Sequence, residues 1–277
     1  TSVFAYASTY RGMMSEGLFR DLSDEEFLQK VNPAVLERCK VDGKSYSLPL
    51  TVNAYGLFYN EDIFNELNLQ VPTTEAELWD VCETLKENGI QAFSFPDKKT
   101  TRVSQLFENT LIGTIDHDFV EKCKELKEGN YKITEDENLR HFAENIIKIH
   151  EYANPDSLGY DDEPAYEEFT SGKCAMYIDG TWAVTTFETL NPELNFKMVP
   201  IPAEKAEDSW TASAVDTAYA ISSDCSEEQY QACLKFLNFL VRDDVAQEFC
   251  DMDKNPNLIS GVEYKVPQVE VMNQYIE

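Results

Sequence analysis

The chain has 277 residues, 43% hydrophobic and 12% aromatic, and carries 51 acidic against 23 basic side chains for a net charge of −28. That length is enough to bury two separate cores. The acidic excess argues against nucleic acid and anionic membrane surfaces as partners, because phosphate binding needs clustered Lys and Arg, and no apolar run of about 18 residues is available to cross a bilayer.

Thr1-Ser2-Val3-Phe4-Ala5-Tyr6 reads as a strand entered midway, without the basic start and apolar core of a signal peptide. Ser23-Asp24-Glu25-Glu26 has capping-box spacing and predicts a helix through Lys30. Val41-Asp42-Gly43-Lys44 reads as a hairpin-like turn. Tyr46 to Tyr59 reads as two extended segments, interrupted by the permissive Asn53-Ala54-Tyr55-Gly56. Thr74 and Glu77 open a second helix, its stripe Leu78, Val81, Cys82 and Leu85, its stop Gly89. Gln91 to Phe95 is a strand candidate, and Leu106 to Leu111 and Asp118 to Glu128 read as helices.

Leu139, Phe142, Ala143, Ile146, Ile147 and His150 recur at helical spacing and predict one inward face. A helix then ends at Gly172, an apolar strand runs from Cys174 to Ile178, and Asp179-Gly180-Thr181 turns into another helix with Trp182 on its first turn. A bulky aromatic at such a corner suits a flat platform beside a cleft. Lys197 to Pro200 and Ala214 to Ser222 read as strands. Glu227 to Val241 reads as a helix burying Cys233, Leu234, Leu237 and Leu240, with Asp243 to Cys250 a further helix. Strands alternating with longer helices predict an α/β fold.

Seven cysteines, an odd number with no Cys-x-x-Cys, read as free thiols acting as small hydrophobes, which suits a reducing or anaerobic setting. No phosphate-binding glycine loop and no nucleophile elbow occurs. His117, His141 and His150 lack metal spacing. Asp251-x-Asp253-x-Asn255 fails as a calcium loop, because Pro256 stands at the glycine position and Val262 at the last. No metal or cofactor is therefore expected. Asp161-Asp162-Glu163 and Glu167-Glu168 read as a solvated acidic face rather than a glycosidase pair, which needs carboxylates facing across a cleft.

Four segments in order resemble the extracellular solute-binding proteins of sugar-type ABC importers, the family that includes maltose-binding protein. They are Tyr46 to Phe64, Pro72 to Trp79, the pattern Phe169-x-x-Gly172-Lys173-x-Ala175-Met176-x-x-x-Gly180-x-Trp182, and Asp216-Thr-Ala-Tyr-Ala-Ile-Ser222 followed by an amphipathic helix. The match begins inside the family's first lobe and would continue past Glu277, so the chain resembles an internal portion of such a protein.

The resemblance implies two α/β lobes joined by a hinge of crossing strands near Asn53 and Asp216: residues 1–52 plus 218–277 in the first, incomplete lobe, and 53–217 in the second. It implies a mono- or oligosaccharide closed between the lobes, delivery to ABC permease transmembrane subunits, no catalysis, a monomer, and an extracytoplasmic place, periplasmic or as an anchored lipoprotein. It also implies the ligand-binding residues: Trp182 as stacking platform, Asn53 and Tyr55 at the hinge, Asp216 within an otherwise small and apolar strand, Asp179 as a strand-end acceptor, Gly180 ahead of a helix whose free N–H groups face the cleft, Ser8, Thr9 and Tyr10 in a first-lobe loop, and Arg102 with Gln105 at a helix start. Flat aromatic faces cover the C–H patches of a pyranose, and planar polar groups pair with its hydroxyls. Trp79 is expected in the core, and Trp210 fits either stacking or exposure. The rival readings are a two-lobe binder of a polyamine, peptide or anion, a glycoside hydrolase, and a cytosolic α/β protein. A carboxylate-rich cleft would favour polyamines, and a basic one anions.

Overall fold

The computed structural model describes residues 2–3, 7–112, 119–211 and 213–275. In chain order the elements are β1 (Ser2–Val3), α1 (Ala7–Ser15), α2 (Pro33–Cys39), β2 (Ser47–Asn60), α3 (Glu61–Glu66), α4 (Glu75–Glu87), β3 (Gln91–Phe93), α5 (Thr100–Ile112), α6 (Phe119–Glu128), α7 (Glu137–His150), α8 (Asp162–Thr170), β4 (Cys174–Gly180), α9 (Ala183–Leu190), β5 (Phe196–Val199), β6 (Ser213–Ala220), α10 (Glu227–Leu240) and α11 (Asp243–Asp253). The mixed α/β class is the one the alternation predicts. No helix among the described residues is long and apolar enough to cross a membrane.

The chain divides into two compact units, Thr1–Asn53 with Ser213–Val266 and Ala54–Ala212 with Pro267–Glu277. This division differs from the expected lobe boundaries at residue 53, at 213–217 and at 267–277. The last difference has a plain cause. A 3-10 segment, Pro267–Tyr275, packs on β5, and its Val269 and Met272 are fully buried there.

In the first unit β1 pairs antiparallel with β6, Ser2 opposite Tyr219 and Val3 opposite Ala218, and β6 neighbours β2. Met14, Phe19, Val41 and Ala220 form a local core. The hairpin at 41–44 forms as read, with both N–H···O bonds between Val41 and Lys44 at 3.0 Å. Asp42 and Gly43 take left-handed φ values of 51° and 76°, which matches the twist of the flanking backbone. The expected helix after Ser23 is instead a short 3-10 turn, Glu26–Lys30. Ser23 donates its hydroxyl to Asp21 at 2.6 Å and accepts from the Ser45 N–H, so it is not available as a cap. On α10, Leu237 and Leu240 are buried, whereas Cys233 and Leu234 are only partly so.

In the second unit β2 runs antiparallel to both β4 and β5, and β3 lies parallel to β4. Alternation sorts the pairs onto two buried faces. Leu57 opposite Ile178 and Tyr59 opposite Met176 meet the core formed by Leu78, Val81, Cys82, Leu85 and Phe93. Phe58 opposite Tyr177 meets Phe169, Phe187 and Phe196, with Phe169 and Phe187 centroids 4.8 Å apart. The capping box at Thr74 and Glu77 is present, as expected.

Three expectations change here. β2 is one strand of 14 residues, not two. Gly56 does not break it; a Cβ there would lie 2.5 Å from the Val199 carbonyl oxygen, so the glycine is needed for close approach of β5. The face of α7 is rotated: Asn145 and Ile149 are buried while Ile147 is 66% exposed. Asn145 turns inward because its amide donates to the Glu75 carboxylate at 2.7 Å, beside His141 Nε2 at 2.8 Å from the same group. Strand β4 extends to Gly180, two residues beyond the apolar run.

Candidate functional site

The end of β4 builds the site. Gly172, at φ 75°, lets the chain leave α8 and enter the strand. At the other end of β4, Gly180 pairs with Tyr55, and Thr181 donates its N–H to the Ala54 carbonyl while its hydroxyl accepts from the Ala54 N–H. Trp182 follows as the N-cap residue of α9 and is half-buried. Its six-membered ring lies directly over Gly180, where any Cβ would overlap it. The Tyr55 ring meets the indole edge-on, centroids 5.0 Å apart at 86°. Two aromatic faces therefore stand at right angles on a glycine floor, and the Thr211 hydroxyl bonds the Tyr55 carbonyl beside them.

Tyr55 also borders a small cavity with Asp97, Arg102, Gln105 and Asp179. Arg102 comes from the first turn of α5 and is its hub. It donates from Nε to Asp162 at 2.7 Å, from Nη1 to Asp179 at 2.9 Å and to Gln105 Oε1 at 3.0 Å, and from Nη2 to the Tyr166 hydroxyl at 2.7 Å. That hydroxyl donates onward to Asp179 at 2.8 Å. Four of the five guanidinium N–H groups are thereby used.

Burial alone would lower the Arg102 guanidinium, but Asp179, Tyr166 and Asp162 outweigh it and hold it above its ordinary value. Burial pushes the Asp179 carboxyl up, and Arg102, Tyr166 and the Gly180 N–H draw it back only in part. Burial likewise opposes Asp162, yet hydrogen bonds from Arg102 and Lys99 prevail and keep it below its usual range. Asp161, bonded by Lys99 and Lys98, falls to about 2. Asp97 meets His150 Nε2 at 3.1 Å.

The structure brings Trp182, Tyr55, Gly180, Asp179 and Arg102 together. Asp179, read as a ligand acceptor, has a side chain only 2% exposed, with its oxygens on Arg102, Tyr166 and Gly180. The Gly180 N–H is spent on that carboxylate. Asp162 and Glu168 are not a solvated face: Asp162 pairs with Arg102 and Lys99, and Glu168 accepts from Gln91, Ser94 and Tyr160.

In the first unit Asn53 donates to Asp216 at 3.0 Å and accepts from the Ala214 N–H, so its buried amide ties β2 to β6. Asp216 stays half-buried, its other oxygen reached only at 3.5 Å by Asn255 and Thr217. Ser8, Thr9 and Tyr10 lie in α1, and their side chains fall outside the described residues, as does His117. Trp79 is partly buried against Tyr152, and Trp210 is 50% exposed. Tyr166 was missed by sequence reasoning; nothing local marks a helix tyrosine as the bridge between an arginine and a buried carboxylate. All seven cysteines are free thiols, and no metal-holding cluster occurs among the described residues.

A family model described as bacterial extracellular solute-binding protein matches residues 1–267. The chain belongs to that family. The multiple sugar-binding protein of Streptococcus mutans is 25% identical over 254 residues, covering 89% of this chain and 59% of the relative. The chain thus spans about three fifths of that relative's length. The solute-binding protein RafE in complex with raffinose superposes with a TM-score of 0.85 at 23% identity, over 99% of this chain and 72% of that one. The apo form of RafE from Streptococcus pneumoniae gives 0.79 at 23% identity, over 99% and 71%. These likenesses establish the two-lobe α/β solute-binding fold.

Proposed function

We propose that the chain is the carbohydrate-binding part of an ABC importer component, taking up a neutral mono- or oligosaccharide for delivery to permease transmembrane subunits, without catalysis. The lobes correspond to the two compact units, and the protein works outside the cytoplasm as a monomer; lipid anchoring fits the same reading. The observation that carries the proposal is the aromatic corner, the Trp182 indole laid over Gly180 with the Tyr55 ring edge-on beside it. Such a corner offers an apolar face to a pyranose, and Arg102 and Gln105 lie on the adjoining wall to meet hydroxyls. Asp179 acts here as the positioning residue for Arg102. Asn53 and Asp216 are the first unit's candidate polar contacts.

The sugar-binding Streptococcus mutans relative supports this reading over a polyamine or anion binder. So does the pairing of each cation on the Arg102 wall with a carboxylate. Equilibrium dialysis of the whole chain against labelled neutral saccharides tests it. Retention of at least one saccharide is expected; retention of spermidine or phosphate alone would replace the reading.

A further inference from the structure

Arg102 and Asp179 line the cavity beside Tyr55, and ion pairs link them to Asp162, Lys99, Asp161 and Lys98, three cations and three carboxylates in all. The carboxylates do not share the work equally. Asp161 pairs with the two lysines and caps α8 by accepting from the Asp162 N–H. Asp179 is buried and serves Arg102. Asp162 alone bridges the groups, one oxygen on Arg102 Nε at 2.7 Å and the other on Lys99 at 2.6 Å. Its side chain is 24% exposed, at the start of α8, so it can be exchanged without opening the core.

We infer that Asp162 determines specificity, by cancelling the charge of Arg102 and Lys99 so that the wall accepts uncharged saccharides and rejects anionic ones. The inference rests on the carbohydrate reading. Arginine cannot shed its proton, so a guanidinium next to a sugar site is by default a carboxylate receptor. Only a fixed counter-charge removes that preference. With Asp162 present the six ion-paired groups sum to zero, and the cavity's other carboxylate, Asp97, faces His150, so an incoming carboxylate finds no unpaired cation. An asparagine at 162 keeps the shape and one acceptor for Arg102 Nε, but leaves the wall one positive charge in excess.

The test is calorimetry on the whole chain, wild type and Asp162→Asn, with raffinose, trigalacturonate and sodium sulfate at matched ionic strength. The substitution is expected to raise the ratio of trigalacturonate to raffinose affinity by about tenfold, the scale of one charge-assisted hydrogen bond. It should also create sulfate binding that the wild type lacks. Adding Arg102→Gln should abolish both gains, which a purely structural role for Asp162 would not produce. An unchanged ratio with no sulfate binding overturns the inference. If no saccharide binds the wild type, the carbohydrate reading fails by itself, and the sulfate arm still decides: a gain supports the cancelling role, no gain overturns it. Should Asp162→Asn not fold, Asp162→Ser removes the same charge while Asp161 still caps α8.

Discussion

Replacing Gly180 by alanine tests the aromatic corner directly. The new Cβ would overlap several atoms of the Trp182 six-membered ring, so the ring has to move. Overpacking of this kind costs about 1–3 kcal/mol where a side chain is locked in a core. Trp182 is only half-buried, so it can relieve the overlap by rotating away rather than by straining β4. The cost then shifts to the lost edge contact with Tyr55, about 0.5–1.5 kcal/mol. Urea unfolding of Gly180→Ala should show a loss of about 1–2 kcal/mol, at the low end of the overpacking range. Tryptophan emission should shift as the indole leaves its floor, and saccharide affinity should fall by about tenfold or more, because the platform no longer faces its ligand. An alanine variant with unchanged emission, stability and affinity would refute the close approach on which the argument stands.

Other outcomes follow from the same contacts. Asp179→Ala leaves the Arg102 guanidinium facing a polar void and should cost about 3–5 kcal/mol, read by chemical denaturation; Asp179→Asn, which keeps an acceptor, should cost less. His150 is raised above its ordinary value, first by its hydrogen bond to Asp97 and against the effect of burial. Its contribution is complete below the unfolded value of about 6.5 and is lost as pH rises through the folded one. Asp97 is held low, with burial opposing His150 and Ser157, so its share disappears only as pH falls through its folded value. His150→Gln should therefore destabilise the protein more near pH 5.5 than near pH 8.5, roughly either side of the His transition; thermal melts showing equal losses would contradict the pairing. Met272→Ala, at a fully buried position packed against β5, should cost about 2–5 kcal/mol and loosen Pro267–Tyr275 from the second unit, seen as lost amide protection on β5.

Sequence reading succeeds where the determinant is local. The Thr74–Glu77 cap, the Asp42-Gly43 turn and the apolar stripe of α4 each involve neighbours along the chain, and each appears as expected. It fails where a partner lies far away. Asn145 points inward because of Glu75, 70 residues earlier, which the apolar spacing of α7 alone does not show. Gly56 reads locally as a break, whereas its small size admits the Val199 backbone. At the site, the aromatic at the corner was legible from residue type and position. The charge logic was not: Arg102 and Asp179 are separated by 77 residues, Tyr166 bridges them without any motif, and Asp162 looked like one more member of an acidic surface.

The most direct test of the central claim is calorimetric titration of the whole chain, wild type and Trp182→Ala, with a panel of neutral saccharides that includes raffinose and stachyose. The account predicts saturable binding of at least one member by the wild type and a loss of about tenfold or more in the variant. No heat of binding from any saccharide, or equal affinity in the two proteins, would contradict it.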